Sequence, residues 1–179
     1  MRLLTYFFSV LCTVFITQFS FAQTLSTEHM ADLKFRHVGP VGNRIIAVTG
    51  VTGDPMTYYV GAASGGIWKT IDGGLNWKPV FDKQAVHSIG ALALAPSESE
   101  VIYAGTGESF IRSNVSIGNG VWRSTDGGAN WQHLGLEKTG RISRIVVHPT
   151  NPEVAYVAAL GHGYTPQQEI GRASCRERV

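Results

Sequence analysis

Cysteine is scarce in this chain of 179 residues. The two cysteines that it has, Cys12 and Cys175, lie in end segments whose composition differs from that of the rest. The central part, residues 23–168, therefore has no thiol that could form a disulfide, bind a metal or act as a nucleophile. The histidines show no spacing typical of metal ligands. We expect no metal site and no cofactor.

An excess of charge of one sign is also missing. Residues 23–168 carry equal numbers of acidic and basic side chains, so the formal net charge of +2 arises in the end segments. The central part thus lacks the net basic charge that is typical of proteins that bind nucleic acid or anionic membranes. We expect no nucleic-acid partner.

The central part also lacks helical periodicity. No stretch of ordinary helix length is predicted between residues 23 and 168, and nothing there resembles a linker or a low-complexity tract. The chain has instead a series of short apolar or alternating runs separated by Gly, Pro, Asn and Asp. This pattern predicts an all-β protein.

Only one long apolar run without charge occurs, from Leu3 to Ala22. It follows a basic residue and ends in Ser20-Phe21-Ala22, which places small residues at the −3 and −1 positions of a cleavage site before Gln23. We predict a signal peptide over residues 1–22. A membrane anchor is possible on length, but no basic flank follows the run. After cleavage we expect no stable membrane span, and a secreted, periplasmic or cell-envelope location.

The C-terminal segment, residues 169–179, abandons the β pattern. Its sequence is similar to the translation of a common sequencing adapter, so we expect an artefact that is not part of the fold. The alternative is a genuine basic tail. On the first interpretation the gene is truncated near Gln168, and the chain is an N-terminal fragment.

One pattern occurs twice, in Ser64–Trp77 and in Gly118–Trp131, at a spacing of 54 residues. Both copies contain Gly, an apolar residue, Trp, a basic residue, Ser or Thr, any residue, Asp-Gly-Gly, any residue, Asn and Trp. A repeat in register over this length indicates a fold that is itself built from repeated units.

Each copy predicts two strands joined by a tight turn. The Gly-Gly pair supplies the positive φ angles of a hairpin, and the carboxylate and the hydroxyl can form hydrogen bonds within the turn. The second tryptophan offers a large apolar body that lies under the turn. We assign structural roles to Thr70, Asp72, Gly74 and Trp77 in the first copy and to Ser124, Asp126, Gly128 and Trp131 in the second.

These residues match the Asp-box, the (Ser/Thr)-x-Asp-x-Gly-x-x-Trp hairpin of sialidase-like β-propellers and sortilin-type receptors. The resemblance implies an all-β β-propeller fragment of about two and a half four-stranded blades with Asp-box hairpins. Residues 23–42 form a leader with a possible ring-closing strand, and residues 43–168 form the incomplete propeller. The expected strands are Arg44–Val51, Tyr58–Ala63, Ile67–Thr70 and Asn76–Phe81; Ser88–Ala95, Val101–Gly105, Val121–Ser124 and Asn130–Leu134; and Arg141–His148 and Glu153–Leu160.

Too few blades are present to close a ring. We therefore expect the remaining blades of the full-length chain to be partners of this segment. Expressed alone, the fragment is expected to aggregate or to stay partly unfolded, because blades bury their faces on their neighbours.

Over Phe35–Gln168 the chain also resembles the N-terminal propeller of bacterial secreted sortilin-like proteins, often labelled BNR-repeat glycosyl hydrolases. The resemblance is carried by the Asp-box copies and by Gly105-Thr106-Gly107-Glu108, among other segments. It implies a large exported propeller but does not fix a biochemical activity.

The candidate binding residues follow from the topology of such blades. Turns between the first and second and between the third and fourth strands lie on one face; the other connections and the blade-to-blade crossings lie on the opposite face, called here the crossing face. The long insertion Thr106–Gly120 lies there, so we look for ligand binding on that face. The candidates are Glu108, Arg112, Asn114, Arg141 and His162. Glu108 and Arg112 suit sugar hydroxyls or a peptide terminus, or they pair with each other and order the loop.

Two functions remain open. The first is a sortilin-like, non-catalytic scaffold that binds a peptide or polysaccharide ligand at the crossing face. The second is a glycoside hydrolase of the BNR-repeat or xyloglucanase-like type, with Glu108 as candidate catalytic residue. The resemblance to xyloglucanases would place a catalytic Asp where this chain has Ser64, and an inverting mechanism needs two carboxyls. Ser64 therefore favours the first function, and whether the protein is an enzyme stays open.

Overall fold

The computed structural model describes residues 39–40, 44–110, 114–161 and 171–176. The predicted signal peptide and the possible ring-closing strand lie outside these ranges. In the described part every regular element is a strand. None of the described residues belongs to a helix long and apolar enough to span a membrane.

The described strands form three antiparallel sheets in chain order. The first sheet, blade 1, has the order β1-β2-β3-β4, and the second, blade 2, has the order β5-β6-β7-β8. Blade 3 has the order β9-β10-β11. The strands are β1 Ile45–Gly50, β2 Tyr58–Ala62, β3 Ile67–Thr70, β4 Lys78–Pro79, β5 Ile89–Ala95, β6 Glu98–Thr106, β7 Val121–Ser124, β8 Gln132–Gly135, β9 Arg141–Val147, β10 Val154–Leu160 and β11 Gly171–Arg176. Each strand therefore pairs with its neighbour in sequence, as the predicted up-and-down blades require.

Strand β11 differs from the expectation for the C-terminal segment. Residues 171–176 pair antiparallel with β10, from Val154↔Arg176 to Ala159↔Gly171. The free edge of β10 offers a row of backbone N–H and C=O groups, and a strand can pair with such an edge whatever its side-chain pattern is. Whether residues 169–179 are an adapter artefact stays a prediction.

The first strands of the three blades share a register shift at the same level, and β5 has a second one between Leu94 and Ala95. The shifts lie between Ile45 and Ala47, between Ile89 and Ala91, and opposite Ala158 and Ala159 of β10. They leave Ile46, Gly90 and Ser143 outside the regular ladder, as in β-bulges. The shared shift aligns the three blades residue by residue.

Apolar side chains from adjacent blades form two separate cores. Blades 1 and 2 share Tyr59, Ile67, Phe81, Ile89, Ile102 and Ala104, and blades 2 and 3 share a second set around Tyr103, Ile142, Ile145 and Val157. Each core lies between two sheets, so each blade depends on its neighbour to bury apolar area. Arg123 of blade 2 also donates a 2.7 Å hydrogen bond to Glu153 of blade 3.

Glycines on the second strands allow the blades to approach. A Cβ at Gly61 would lie 2.5 Å from the Cγ2 of Ile89, and a Cβ at Gly105 would collide with Ile142. Both isoleucines are fully buried. A glycine on the second strand of one blade thus packs against an isoleucine on the first strand of the next blade.

Candidate functional site

The first Asp-Gly-Gly turn is closed by its own side chains. Asp72 Oδ1 accepts hydrogen bonds from the Thr70 hydroxyl at 2.8 Å and from the Asn76 backbone N–H at 2.9 Å. Asp72 Oδ2 accepts from Asn76 Nδ2 at 2.7 Å, and the Thr70 hydroxyl accepts from the Gly74 N–H at 3.0 Å. These donors, the Asn76 backbone N–H first, lower the pKa of Asp72 to about 2. The carboxylate is therefore committed to holding the turn.

The second Asp-Gly-Gly turn repeats this bonding. Asp126 accepts from the Ser124 hydroxyl at 2.8 Å and from the Asn130 backbone N–H at 2.8 Å. The Asn130 N–H is also the first cause of the lowered pKa of Asp126. Two turns that are 54 residues apart thus have the same structure.

The second turn also binds blade 1. Trp131 Nε1–H is shared between the carbonyl of Gly128 at 3.1 Å and the carbonyl of Val80 in blade 1 at 2.8 Å. The Tyr59 hydroxyl donates to the Gly127 carbonyl at 3.1 Å. The Phe81 ring meets Trp131 edge to face, with centroids 5.0 Å apart. The sequence pattern predicts the turn but holds no signal for these contacts, because the partners lie about one blade away.

Glu108 lies at the crossing face and is fully buried. Its carboxylate forms an ion pair with Arg44, the residue before β1 of blade 1. Its backbone N–H donates to the carbonyl of Ser116 at 2.9 Å, so it also closes the base of the insertion. The sequence predicts Arg112 as a candidate partner of the Glu108 carboxylate. Arg112 lies outside the described ranges. The sequence holds no signal for pairing with Arg44, which is 64 residues from Glu108.

Arg141 lies at the same end of the molecule. It begins β9 and is only 7% exposed, yet its Nε has no hydrogen-bond partner in the structure. The backbone of Gly107, the residue before Glu108, lies directly against Arg141. A Cβ at Gly107 would lie 2.8 Å from the Cα of Arg141. Gly107 also donates its N–H to the carbonyl of Ser88 at 2.8 Å, and the buried Ser88 hydroxyl is likewise unpartnered.

The structure therefore places two of the five binding candidates, Glu108 and Arg141, close together at the crossing face. Asn114 is exposed in the same insertion. Arg112 and His162 lie outside the described residues. Neither Arg44 nor Ser88 was a predicted binding residue; both occupy the same place in their blades as Arg141, immediately before the first-strand isoleucine.

A groove of about 470 Å³ lies along the first strands β1, β5 and β9. Among the described residues, those that line the groove are mostly small or apolar and include Ile46, Val48 and Leu92. Arg144 is the one charged residue in this described lining. A glycosidase that uses two carboxyls would need both at the sugar, and the described lining supplies none. The described residues also contain no group of three or more His, Cys, Asp or Glu side chains that could hold a metal.

No protein-family model matches the chain, and no curated protein matches it. Solved structures do. An ancestral GH74 enzyme matches with a TM-score of 0.57 and 24% identity, over 69% of this chain and 18% of that one. A GH74 xyloglucanase from Xanthomonas campestris matches with a TM-score of 0.50 and 17% identity, over 74% and 20%. YCF48 bound to D1 peptide matches with a TM-score of 0.50 and 14% identity, over 79% and 44%.

At such low sequence identities, the structural similarity shows only that the fold is shared. Together with the sheet order it confirms the predicted fold class, an all-β chain that forms part of a β-propeller. The chain spans about a fifth of the length of the two GH74 structures and less than half of YCF48.

Proposed function

We propose that this protein is an exported β-propeller scaffold that binds peptide or glycan ligands at its crossing face without catalysing a reaction there. The observation that carries the proposal is the state of Glu108, the candidate catalytic carboxyl. It is fully buried and ion-paired with Arg44. A catalytic carboxyl must reach its substrate, and a fully buried carboxylate that is paired with Arg44 is not placed to do so.

Arg141 supports a binding role for the same face. Its Nε is buried without a hydrogen-bond partner, and a buried donor left unpaired is costly, so a bound molecule that accepts a hydrogen bond there would be stabilised. The nearby insertion between β6 and β7 supplies irregular backbone of the kind that carries binding residues. Arg112 and His162 belong to this proposal as further ligand-binding residues.

The family assignment is also part of the proposal. We infer that the two turns are Asp-boxes of a BNR-repeat, sortilin-like propeller, and that residues 1–22 are removed as a signal peptide on export. The likeness in fold to propeller structures supports the first inference. The apolar run with its small-residue cleavage site supports the second. The remaining blades of a longer chain are the expected covalent partners.

A glycoside hydrolase is the second candidate, and the observation that favours it is the fold likeness to two GH74 enzymes. The residues argue against it for this part of the chain. Ser64 stands where the xyloglucanase resemblance calls for a carboxylate, and the described groove lining has none. A hydrolytic site would have to draw its carboxyls from elsewhere.

Hydrolysis and binding assays with the full chain separate the two functions. We expect no release of reducing sugar from xyloglucan and related β-glucans by the wild type, and no change in Glu108→Gln. In a glycan and peptide binding screen we expect Arg141→Ala to lose the bound ligand, while Glu98→Gln, a change at an exposed glutamate, keeps it. Hydrolysis that is abolished by Glu108→Gln but kept by Glu98→Gln would establish the enzyme instead.

A further inference from the structure

The insertion between β6 and β7 returns to the sheet at Asn119, which is held by three side chains. The Asn119 backbone N–H donates to the Thr106 hydroxyl at 2.8 Å, and its side-chain Oδ1 accepts from Trp122 Nε1–H at 3.0 Å. Its backbone carbonyl lies 2.7 Å from Nε2 of His133. A carbonyl oxygen can only accept a hydrogen bond, so Nε2 carries the hydrogen and His133 is the donor. The backbone N–H, the backbone carbonyl and the side chain of Asn119 are therefore all bonded.

These bonds tie Asn119 to three strands of blade 2. Thr106 is the last residue of β6 and is fully buried, and its hydroxyl donates in turn to the Gly120 carbonyl at 2.7 Å. Trp122 belongs to β7 and His133 to β8, where the two residues pair and their rings lie 4.7 Å apart. We call Asn119, Thr106, Trp122 and His133 the Asn119 network. It joins the end of the insertion to the second, third and fourth strands of the blade.

Blade 1 lacks three of the four side chains of the Asn119 network. The strand registers and the 54-residue spacing of the repeat align Ala62 with Thr106, Gly65 with Asn119 and Pro79 with His133. Alanine, glycine and proline have no side-chain group that forms such hydrogen bonds. Blade 1 also has the short connection, residues 63–66, where blade 2 has residues 107–120. The three polar side chains thus occur in the blade that carries the insertion.

The repeated tryptophan shows how the bonding differs between the two blades. In blade 1, Trp68 Nε1–H donates to the backbone carbonyl of Gly65 at 2.7 Å. In blade 2 the side chain of Asn119 replaces that carbonyl as the acceptor. The backbone carbonyl of Asn119 is then available to His133 and would lose this bond if the histidine were absent. Asn119 and His133 therefore act as a pair.

We propose that His133, together with Asn119 and Thr106, positions the insertion for ligand binding at the crossing face. These are positioning residues, because they hold the base of the insertion and act on the ligand through it. A long connection has many conformations, and fixing its end reduces the entropy that is lost when it binds a ligand. The role in ligand binding rests on the proposed function, whereas the hydrogen bonds that hold the insertion do not.

Amide hydrogen exchange of the full chain, without ligand, tests the Asn119 network. The amides to follow are those of Gly118 and Asn119, which donate to the Gly140 carbonyl and to the Thr106 hydroxyl. His133→Phe keeps an aromatic ring beside Trp122 but has no N–H to donate. We expect both amides to exchange about fivefold or more faster in this variant, while amides of β2 and β3 in blade 1 keep their rates.

Thr106→Val is the second variant and acts on another bond of the same network. It removes the hydroxyl that accepts from the Asn119 N–H and changes the shape of the buried side chain little. We expect it to accelerate exchange of the same two amides, again without an effect on blade 1. Agreement between the two variants would show that the bonds act on one unit.

Two further variants separate the hydrogen bond from other effects of changing His133. His133→Gln should restore wild-type exchange, because a glutamine side-chain amide can donate to the Asn119 carbonyl as Nε2 does. Glu137→Gln is the matched control at the other ring nitrogen. The exposed Glu137 carboxylate lies 3.7 Å from Nδ1 of His133, and its neutralisation leaves the Nε2 bond in place. This control should leave both amides unchanged.

Binding measurements then test the role of the Asn119 network in recognition. For a peptide or glycan that the wild type binds in the screen proposed above, we expect His133→Phe to weaken binding about fivefold or more and His133→Gln to bind like the wild type. A screen in which the wild type binds nothing would contradict the proposed function and the role in ligand binding. Exchange that is faster in His133→Phe and restored in His133→Gln would still support the network.

Three results would overturn the positioning role itself. One is unchanged exchange of Gly118 and Asn119 in both His133→Phe and Thr106→Val. Another is equal acceleration in blade 1, which would show that the variants destabilise the whole protein. The third is undiminished ligand binding by His133→Phe although its insertion exchanges faster.

Discussion

In each Asp-Gly-Gly turn, one carboxylate accepts hydrogen bonds from residues of the same turn. Asp72 accepts bonds from Thr70 and Asn76, which are two and four residues away, so the whole unit is local in sequence. A local unit of this kind is visible in the sequence, because its residue types and spacing follow from the bonds. This is why the turns could be predicted without knowledge of the fold.

The lowered pKa of Asp72 predicts a pH dependence. The folded-state pKa of about 2 lies below the unfolded value of about 3.9, so ionised Asp72 stabilises the fold above pH 3.9 and loses this effect as the pH falls through 2. We expect Asp72→Asn to lower the Tm at pH 7 and the difference from wild type to shrink between pH 4 and pH 2. Thermal unfolding over that range measures it.

Asp82→Asn serves as the matched control for this prediction, because Asp82 is an exposed carboxylate outside the turn. It should leave the Tm at pH 7 nearly unchanged. A Tm difference between wild type and Asp72→Asn that stays constant down to pH 2 would contradict the assignment of the effect to ionised Asp72.

At the scale of elements, the two equivalent tryptophans differ in what they connect. Trp77 donates its ring N–H to Gly74 within its own turn, at 3.1 Å. Trp131 shares its N–H between its own turn and the Val80 carbonyl of blade 1, and its ring packs against Phe81. The same residue in the same motif thus closes a turn in blade 1 and joins two blades in blade 2.

We therefore expect Trp131→Phe to destabilise the protein more than Trp77→Phe. Loss of the inter-blade hydrogen bond should add about 1 kcal/mol to the cost of the change, besides the loss of ring contacts in the core. Urea unfolding of the two variants and wild type measures the difference. Equal losses of unfolding free energy would show that the bond to Val80 does not contribute.

Strand positions and their order in each sheet could be predicted from the sequence, because alternation and turn residues are local signals. The contacts between elements could not. Ion pairing of Arg44 with Glu108, and packing of Ile142 against Gly105, depend on which blade faces which. The strand pairing of residues 171–176 depends on the open edge of β10, which no pattern inside that segment reveals.

For the molecule as a whole, Arg44 and Glu108 fasten blade 1 to blade 2 at the crossing face. Glu108 is fully buried, whereas the Arg44 side chain is 47% exposed. Removing the arginine takes a charged partner from a buried carboxylate, which costs less here than at a fully buried pair because water reaches the arginine side.

Arg44→Ala should accordingly lower the unfolding free energy by about 1–3 kcal/mol, and the double variant Arg44→Ala/Glu108→Gln should recover part of the loss because no charge is left buried. Chemical unfolding of the wild type, both single variants and the double variant gives the coupling between the two residues. Strictly additive losses would contradict the pairing.

Gly90 shows where the crossing face can vary and where it cannot. Any side chain at this residue would strike the carbonyls of Gly107 and Ile142, so three main chains from two adjoining blades meet there with no room between them. At this point the fit between blades 2 and 3 is consequently set by backbone contacts. Substitutions among the exposed residues of the loop between β6 and β7 are therefore expected to leave this backbone junction unchanged.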